Sequence, residues 1–255
     1  MRILMVGDII GKPGRRAVQT LLPDLRKEYE IDLVIANAEN AAGGYGLTLE
    51  TSQELLMAGV DVITTGNHVY DQKEIIPYLD GELPILRPIN FPTNNPGEGY
   101  LTKDNVMVVN LIGRVFMKPV DCPFRTMDDL LSAARERPPV VIVDFHSEAT
   151  SEAGAMGWYL DGRVSSVLGT HTHVGTVDTQ ILPKGTAYLT DVGMVGPRLS
   201  VIGDDPEAVI QRFITMMHHR LSVAKGPVRF SSVLVEVEDH KGKATSIQRI
   251  DREVE

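Results

Sequence analysis

The chain has 255 residues, of which 43% are hydrophobic and 23% charged, and this composition excludes a disordered or fibrous protein. Its formal net charge of −9 disfavours nonspecific binding along nucleic acid, which requires an extended basic face. The single cysteine, Cys122, excludes an internal disulfide framework and any cage of cysteine ligands, so we expect a cytoplasmic protein. Apolar runs fall far short of the roughly 20 residues that cross a bilayer, so no membrane partner is predicted.

Strand-like and helix-like segments alternate through the first part of the chain, which predicts an α/β protein. A strand at residues 2–6 precedes an amphipathic helix whose apolar residues recur three and four positions apart, namely Val18, Leu21, Leu22, Leu25 and Tyr29. The next predicted elements are a strand at 33–36, a helix at 48–58 ended by Gly59, a strand at 60–65, and a helix begun by a capping box of Asp71 and Glu74.

The later part of the chain continues the alternation and adds hairpins. Its predicted elements are strands at 85–90, 100–102 and 106–112, a helix at 126–137, a strand at 140–145, a helical stretch at 153–160, a strand at 164–168, a hairpin turning at 183–185, a helix begun by Asp205 and Pro206, and strands at 228–237 and 244–250. His218 and His219 are assigned to that last helix and His240 to a turn, and all three are interpreted as solvated residues.

Polar residues that can bind metals follow five of the predicted strands, where ligands collect in open α/β sheets. In chain order they are Asp8, then Glu39 and Asn40, then Asn67 and His68, then His146, and finally His171 and His173. Each residue alone could be a helix cap, a turn residue or a buried histidine. Because the pattern recurs at five strand ends, a shared site explains it better. The segment His171-Thr172-His173 is predicted to be extended, which would place both rings on one side.

Apart from His68, these residues offer two carboxylates, two carboxamide oxygens and three imidazoles. Such a set suits Mn, Fe or Zn and does not suit Ca or Cu(I). Seven ligands are too many for one tetrahedral ion, so the sequence predicts two divalent or trivalent ions that share a carboxylate. Two ions held by Asp8 and Glu39 would keep the pocket positive, so an acidic protein could still attract a phosphate.

The motifs Gly7-Asp8, Gly66-Asn67-His68 and Gly169-Thr170-His171-Thr172-His173 resemble those of the calcineurin-like metallophosphoesterase superfamily. Three further segments, at residues 37–44, 144–152 and 190–194, resemble its bacterial YmdB-like branch, so the resemblance runs over nearly the whole chain. It implies a single metallophosphoesterase domain over residues 1–255. Its expected fold is an αββα sandwich with mixed sheets and with the site at the carboxyl ends of the strands.

The resemblance also implies hydrolysis of 2′,3′-cyclic nucleotides, with a metal-bridging hydroxide as nucleophile and His68 as proton donor. One ion would be held by Asp8, Glu39, Asn40 and His173, and the other by Glu39, Asn67, His146 and His171. Two positions depart from the general superfamily pattern. Ile10 stands where many members have a histidine ligand, and Glu39 with Asn40 replaces the usual bridging aspartate. Both departures fit the YmdB-like branch.

Two alternatives to a cyclic-nucleotide phosphodiesterase stay open at this point: a phosphomonoesterase, and a nucleotide- or RNA-binding regulatory protein with little turnover. The expected partners are a small nucleotide phosphodiester, RNA ends as a second candidate, and further copies of the chain in a homo-oligomer. Arg87 could hold a phosphate or form a surface ion pair. Asp71 could orient His68 or cap the following helix. The sequence identifies no substrate-binding residue with more specificity.

Overall fold

The computed structural model describes residues 1–134 and 136–255, and fifteen strands are found within them. In chain order these are β1 (Arg2–Val6), β2 (Asp8–Ile9), β3 (Leu33–Asn37), β4 (Val62–Thr64), β5 (Tyr100–Lys103), β6 (Val106–Ile112), β7 (Val140–His146), β8 (Ser166–Thr170), β9 (Gln180–Ile181), β10 (Ala187–Leu189), β11 (Met194–Pro197), β12 (Val228–Phe230), β13 (Ser232–Glu238), β14 (Lys243–Arg249) and β15 (Arg252–Val254).

Six α-helices and one short 3₁₀ helix (Lys73–Ile75) connect the strands of the described chain. The α-helices are α1 (Gly11–Glu28), α2 (Leu49–Met57), α3 (Ile76–Leu79), α4 (Pro123–Ala133), α5 (Thr150–Leu160) and α6 (Pro206–Thr215). Helix α2 begins at a capping box, because the Thr48 hydroxyl accepts from the Thr51 amide and the Thr51 hydroxyl accepts from the Thr48 amide. Within the same residues, no helix is both long and apolar enough to cross a membrane.

The strands form three sheets, each with parallel and antiparallel pairs. The first has the order β14-β13-β1-β3-β4, the second β5-β6-β7-β8-β10-β9, and the third β15-β12-β11-β2. In the first sheet, β1 pairs in parallel with β3 and antiparallel with β13. In the second, β6, β7, β8 and β10 are parallel, and β5 and β9 are antiparallel edge strands. The predicted mixed α/β fold is confirmed.

Three clusters of buried apolar side chains hold the sheets and helices together. One lies between the first two sheets, where Met5 and Ile35 of the first face Val108 and Ile142 of the second. A second cluster joins the other face of the first sheet to α1 and α2, and a third joins the other face of the second sheet to α4 and α5. Because both large sheets are covered on both faces, their central strands are buried and mainly apolar; residues 140–145 are apolar except for Asp144.

Some predicted elements differ from the structure. No capping box forms at Asp71 and Glu74: the chain makes the short 3₁₀ helix and α3 instead, and the Asp71 carboxylate contacts the His68 ring. Residues 85–90 make only isolated bridges, at Ile85 and Leu86, because prolines at 84 and 88 interrupt the ladder.

Two helices end earlier than predicted. Helix α4 covers Pro123–Ala133, whereas the prediction ran to residue 137 and so included residue 135, which lies outside the described chain. Helix α6 ends at Thr215, because Met216 adopts a left-handed φ of 57°. His218 and His219 therefore lie after the helix and not on it, although His218 is exposed as predicted.

Two neighbouring residues of α2 test how far the apolar cores stabilise this fold. Leu55 is completely buried and Met57 is 88% exposed. We expect Leu55→Ala to lower the free energy of unfolding by about 2 to 5 kcal/mol, because it leaves a cavity in the cluster that joins the first sheet to α1 and α2. Met57→Ala on the same helix should change it by less than about 0.5 kcal/mol. Urea unfolding followed by circular dichroism measures both, and equal losses would contradict the assignment of Leu55 to the core.

Candidate metal centre

The carboxyl ends of strands in both large sheets meet at one place, and the predicted site residues converge there. Strands β1, β3 and β4 lead to Asp8, Glu39 and Asn67, while β7 and β8 lead to His146 and His171. Asp8, Glu39 and His146 are fully buried. The pairing of β7 with β8 aligns His146 with Thr170, which brings the two histidine-bearing segments side by side.

Nε2 of His146 is the centre of this cluster. It lies 3.0 Å from Oε1 of Glu39, 3.1 Å from Oδ1 of Asn67 and 3.0 Å from Nδ1 of His171. One ring nitrogen carries at most one hydrogen, so hydrogen bonding cannot satisfy three such neighbours at once. The ligand atoms of Glu39, His146 and His171 all lie within 4.8 Å of one another. Convergence of this kind suits a metal ion.

A second group of predicted ligands lies next to the first. Nδ2 of Asn40 lies 3.2 Å from Nε2 of His173 and 3.4 Å from Oε1 of Glu39. Nε2 of His173 is 3.9 Å from Oδ1 of Asp8. Nδ1 of His173 donates to the Ile202 carbonyl at 2.7 Å, which leaves the Nε2 lone pair facing this group. The Asn40 amide here presents its nitrogen, and rotation by half a turn would present the oxygen that a cation requires.

Asp8 gives an independent indication that a cation fits. Its Oδ2 accepts a hydrogen bond from the His171 amide at 3.1 Å, while its buried Oδ1 has no hydrogen-bond partner among the residues that the structure describes. An unpaired carboxylate oxygen that is removed from water is costly unless a cation neutralises it. Burial raises the Asp8 pKa well above its ordinary value, although the nearby His146 opposes this effect. The donor set therefore fits a bound metal on chemical grounds.

The charges of the central groups depend on one another. Burial alone would raise the Glu39 pKa, but the charge and hydrogen bond of His146 lower it to about 2. Burial alone would lower the His146 pKa, and Glu39 raises it to about 9. Burial and the neighbouring His146 lower the His171 pKa to about 3, so the His171 ring stays neutral. A neutral ring keeps the lone pair that a metal ligand needs.

Glycines before the ligands permit this close approach. A Cβ on Gly66 would lie 2.3 Å from the His146 ring and 2.5 Å from Oε2 of Glu39. A Cβ on Gly7 would lie 1.8 Å from the Gly193 carbonyl oxygen, in the segment that pairs with β2. Any side chain at either position would push the ligand-bearing segments apart.

The geometry of the segment 171–173 differs from the sequence prediction. Strand β8 ends at Thr170, and His171 and His173 have φ values of 109° and 64°, so the segment is bent and not extended. Asp191 fixes this bend by accepting hydrogen bonds from the amide and hydroxyl of Thr172 at 2.9 and 2.8 Å. Both rings still reach the cluster, but by a strained turn and not by strand alternation.

His68, the predicted proton donor, lies at the edge of the cluster. Its amide donates to Oε2 of Glu39 at 2.9 Å, and its Nδ1 lies 2.7 Å from Oδ2 of Asp71. The Tyr45 ring packs edge-on against it, with centroids 5.1 Å apart. His68 lines a cavity of about 310 Å³ whose other walls include Tyr45, Glu148 and Ile202. Thus Asp71 does contact His68, which is one of the two roles that the sequence left open for it.

Several residues around the ligands had no predicted role. Nδ1 of His146 lies 2.9 Å from the Thr170 hydroxyl, which donates to Oδ1 of Asp144 at 2.7 Å. Glu148 contacts Nε2 of His171 at 3.0 Å. Asp144 could have been found from the sequence, because it is a carboxylate inside the otherwise apolar strand β7. By contrast, Arg87 is buried and donates to the carbonyls of Pro88 and Ile89, so it does not form the surface ion pair considered for it.

The fold and this cluster define a mixed α/β protein with a buried group of histidines and carboxylates that can hold metal. The chain belongs to the YmdB-like protein family, whose model matches it over residues 4–250. The family resemblance drawn from the motifs is confirmed.

Two relatives align with almost the whole chain. It is 47% identical over 254 residues to a 2′,3′-cyclic-nucleotide 2′-phosphodiesterase of Bacillus subtilis, covering 98% of this chain and 96% of that protein. It is 37% identical over 261 residues to a putative phosphatase/phosphodiesterase of Mycoplasma pneumoniae, covering 98% of this chain and 92% of that protein.

Two solved structures have the same fold. A hypothetical protein from Thermus thermophilus superposes with a TM-score of 0.93 at 45% identity, covering 99% of both chains. A structure described as a novel phosphatase from Mycoplasma pneumoniae has the same TM-score of 0.93 at 36% identity, covering 99% of this chain and 93% of that one.

The Thr170 hydroxyl gives a test of how His146 is oriented. We expect Thr170→Val to weaken metal binding by about 10- to 100-fold, because it removes the hydroxyl that contacts Nδ1 of His146 and orients the ring. Thr170→Ser keeps the hydroxyl and should retain most of the affinity. Competition of each variant with a chelating dye, followed by absorbance, measures the metal dissociation constant. Equal affinity of the Val and Ser variants would contradict a role for this hydrogen bond.

Proposed function

We propose that this chain hydrolyses 2′,3′-cyclic nucleotides at the cluster centred on His146, with two bound metal ions. The observation that carries the proposal is the convergence of Glu39, Asn67 and His171 on one buried ring nitrogen. The chain is a phosphoric diester hydrolase, as its family and its 47% identity to a cyclic-nucleotide phosphodiesterase indicate. The name of the Mycoplasma pneumoniae relative, a phosphatase/phosphodiesterase, keeps monoesters among the substrates to be tested.

The two proposed ions share Glu39. One would be held with Asp8, Asn40 and His173, and the other with Asn67, His146 and His171. The unpaired Oδ1 of Asp8 supports the first assignment, and the crowding around His146 supports the second. When bound, such ions neutralise phosphoryl oxygens and activate water for attack on phosphorus. Imidazole, carboxylate and carboxamide ligands together favour Fe or Mn, with Zn as the next candidate.

His68 is proposed to complete the reaction by giving a proton to the departing ribose oxygen. Its Nδ1 is held by Asp71, so Nε2 is the atom left for the substrate. Tyr45 packs edge-on against the ring and limits its rotation. When the bond between phosphorus and O2′ breaks, the oxygen must take up a proton, because a ribose alkoxide is a poor leaving group. The product would then carry a 3′-phosphate.

Four broader predictions accompany this function. The packing of α1 and α2 outside the first sheet, and of α4 and α5 outside the second, supports an αββα sandwich with the site at the strand ends. The pairing of β1 with β13 supports one metallophosphoesterase domain over residues 1–255. Assembly into a homo-oligomer and a cytoplasmic location remain predictions. Size-exclusion chromatography with light scattering tests the prediction of a homo-oligomer.

The number of ions can be tested by elemental analysis of protein purified without chelator. We expect two ions per chain, falling to about one in Asn67→Ala because the second ion loses a ligand. Asn94→Ala, at an exposed asparagine, is the matched control and should retain both. The same preparations should be assayed on cyclic nucleotides, linear diesters and monoesters. A stoichiometry that stays at one after saturation would rule out the two-ion site, and preference for monoesters would rule out the diesterase.

The proton-donor role of His68 predicts a dependence on the leaving group. His68→Ala should keep its metal and slow 2′,3′-cyclic nucleotide hydrolysis by about 10²- to 10⁴-fold, because ribose oxygen needs the proton. A nitrophenyl phosphodiester should be slowed much less, since nitrophenolate leaves unprotonated. His218→Ala, at an exposed histidine, serves as the control. The measurement is the ratio of wild-type to variant kcat/KM for each of the two substrates. Similar ratios for both would show that His68 only positions the phosphate.

A further inference from the structure

A second cavity adjoins the candidate catalytic cavity on the side of His173. It measures about 570 Å³ and shares the residues His173 and Ile202 with the first. Beyond them its walls include Arg198, Arg229 and Arg249. We call this second cavity the arginine groove. No step of the proposed reaction uses it, although it begins at a predicted metal ligand.

The charges of the arginine groove do not cancel. Arg249 is neutralised, because it forms two hydrogen bonds of 2.9 Å to the carboxylate of Asp251. Arg198 and Arg229 both face one carboxylate oxygen of Glu253, at 3.4 and 3.9 Å. Two positive charges therefore share one negative charge. Both arginine side chains are about half exposed, so their pairing with Glu253 is weak and open to competition.

The chemistry of the substrate determines what can extend into this groove. In a 2′,3′-cyclic phosphate both ribose hydroxyls are esterified to the same phosphorus. A longer chain can therefore continue only from O5′, through a phosphodiester that carries one negative charge per nucleotide. If the cyclic phosphate lies at the metal cluster, the preceding nucleotides must leave through an opening of the catalytic cavity. The arginine groove adjoins that cavity at Ile202 and carries the complementary charge.

We propose that the arginine groove binds the backbone of a single-stranded RNA whose 3′ end carries the 2′,3′-cyclic phosphate. This inference rests on the proposed function and extends it from mononucleotides to RNA ends. The planar guanidinium groups of Arg198 and Arg229 are suited to phosphate oxygens. Glu253 would compete with the phosphate for them. The chain as a whole is acidic and the groove is only locally basic, so binding requires the RNA end and not the length of a nucleic acid.

The first test compares two substrates, a 2′,3′-cyclic mononucleotide and a tetranucleotide that ends in the cyclic phosphate. We expect Arg198→Gln and Arg229→Gln each to lower kcat/KM for the tetranucleotide by about five- to tenfold and to leave the mononucleotide unchanged. Glu253→Gln should change the tetranucleotide in the opposite direction, because it removes the competing carboxylate. Arg125→Gln, at an exposed arginine of α4, is the control with the same charge change. Equal effects on both substrates would overturn the proposal.

The second test measures binding without turnover. A fluorescent tetranucleotide ending in a 3′-phosphate is titrated with each protein, and anisotropy gives its dissociation constant. Removing one contacting arginine should reduce the slope of log K against log salt by about 0.7. No change in the Arg198 and Arg229 variants would reject the groove even if cyclic mononucleotides are hydrolysed. Loss of binding in these variants, with no hydrolysis by the wild type, would support the groove and reject the proposed function alone.

Discussion

The burial of two carboxylates and a histidine at one point is the constraint on which the rest of the structure depends. Asp8, Glu39 and His146 have no contact with water, and charged groups are stable in such a place only if they compensate one another. Glu39 and His146 do so directly, at 3.0 Å, while one oxygen of Asp8 has no hydrogen-bond partner in the described part of the chain. A cation would remove this deficit. The fold therefore holds in place a buried group of side chains whose chemistry fits a cation.

The two large sheets create this situation by their packing. Their facing sides are filled by apolar residues, and the candidate metal ligands lie at or beyond the strand ends. Glycines at 7 and 66 let the segments beyond those ends approach more closely than any other residue would allow. Asp191 then fixes the bend at Thr172, between the two histidines, and the Thr170 hydroxyl contacts the His146 ring. The precision of the site comes from these supporting contacts as much as from the ligands.

The sequence was sufficient to predict the elements whose apolar pattern is strong, such as β7 and α1, and the strand ends at which the candidate ligands converge. Short segments were harder, because contacts distant in sequence decide them. A competing local contact can decide them as well: the spacing of Asp71 to Glu74 predicted a helix cap, but the His68 ring, three residues before Asp71, takes the carboxylate instead. The bend at His171 was equally unpredictable, since its anchor, Asp191, lies in another segment. Thr170 belongs to the motif at residues 169–173, but its contact with His146 was unpredictable because the two residues lie on different strands.

The position of the pairing strands along the chain has a consequence for synthesis. Strand β1, which leads to Asp8, pairs with β13 at residues 232–238, and β2 pairs with β11 at 194–197. A ribosome therefore releases the first ligand long before it makes the strands that hold that ligand in place. Because such distant pairings form late, the nascent chain cannot assemble the centre one ligand at a time. The residues of the cluster accordingly come together only in the finished polypeptide, and a translation product truncated before β11 lacks the strands that hold Asp8 in place.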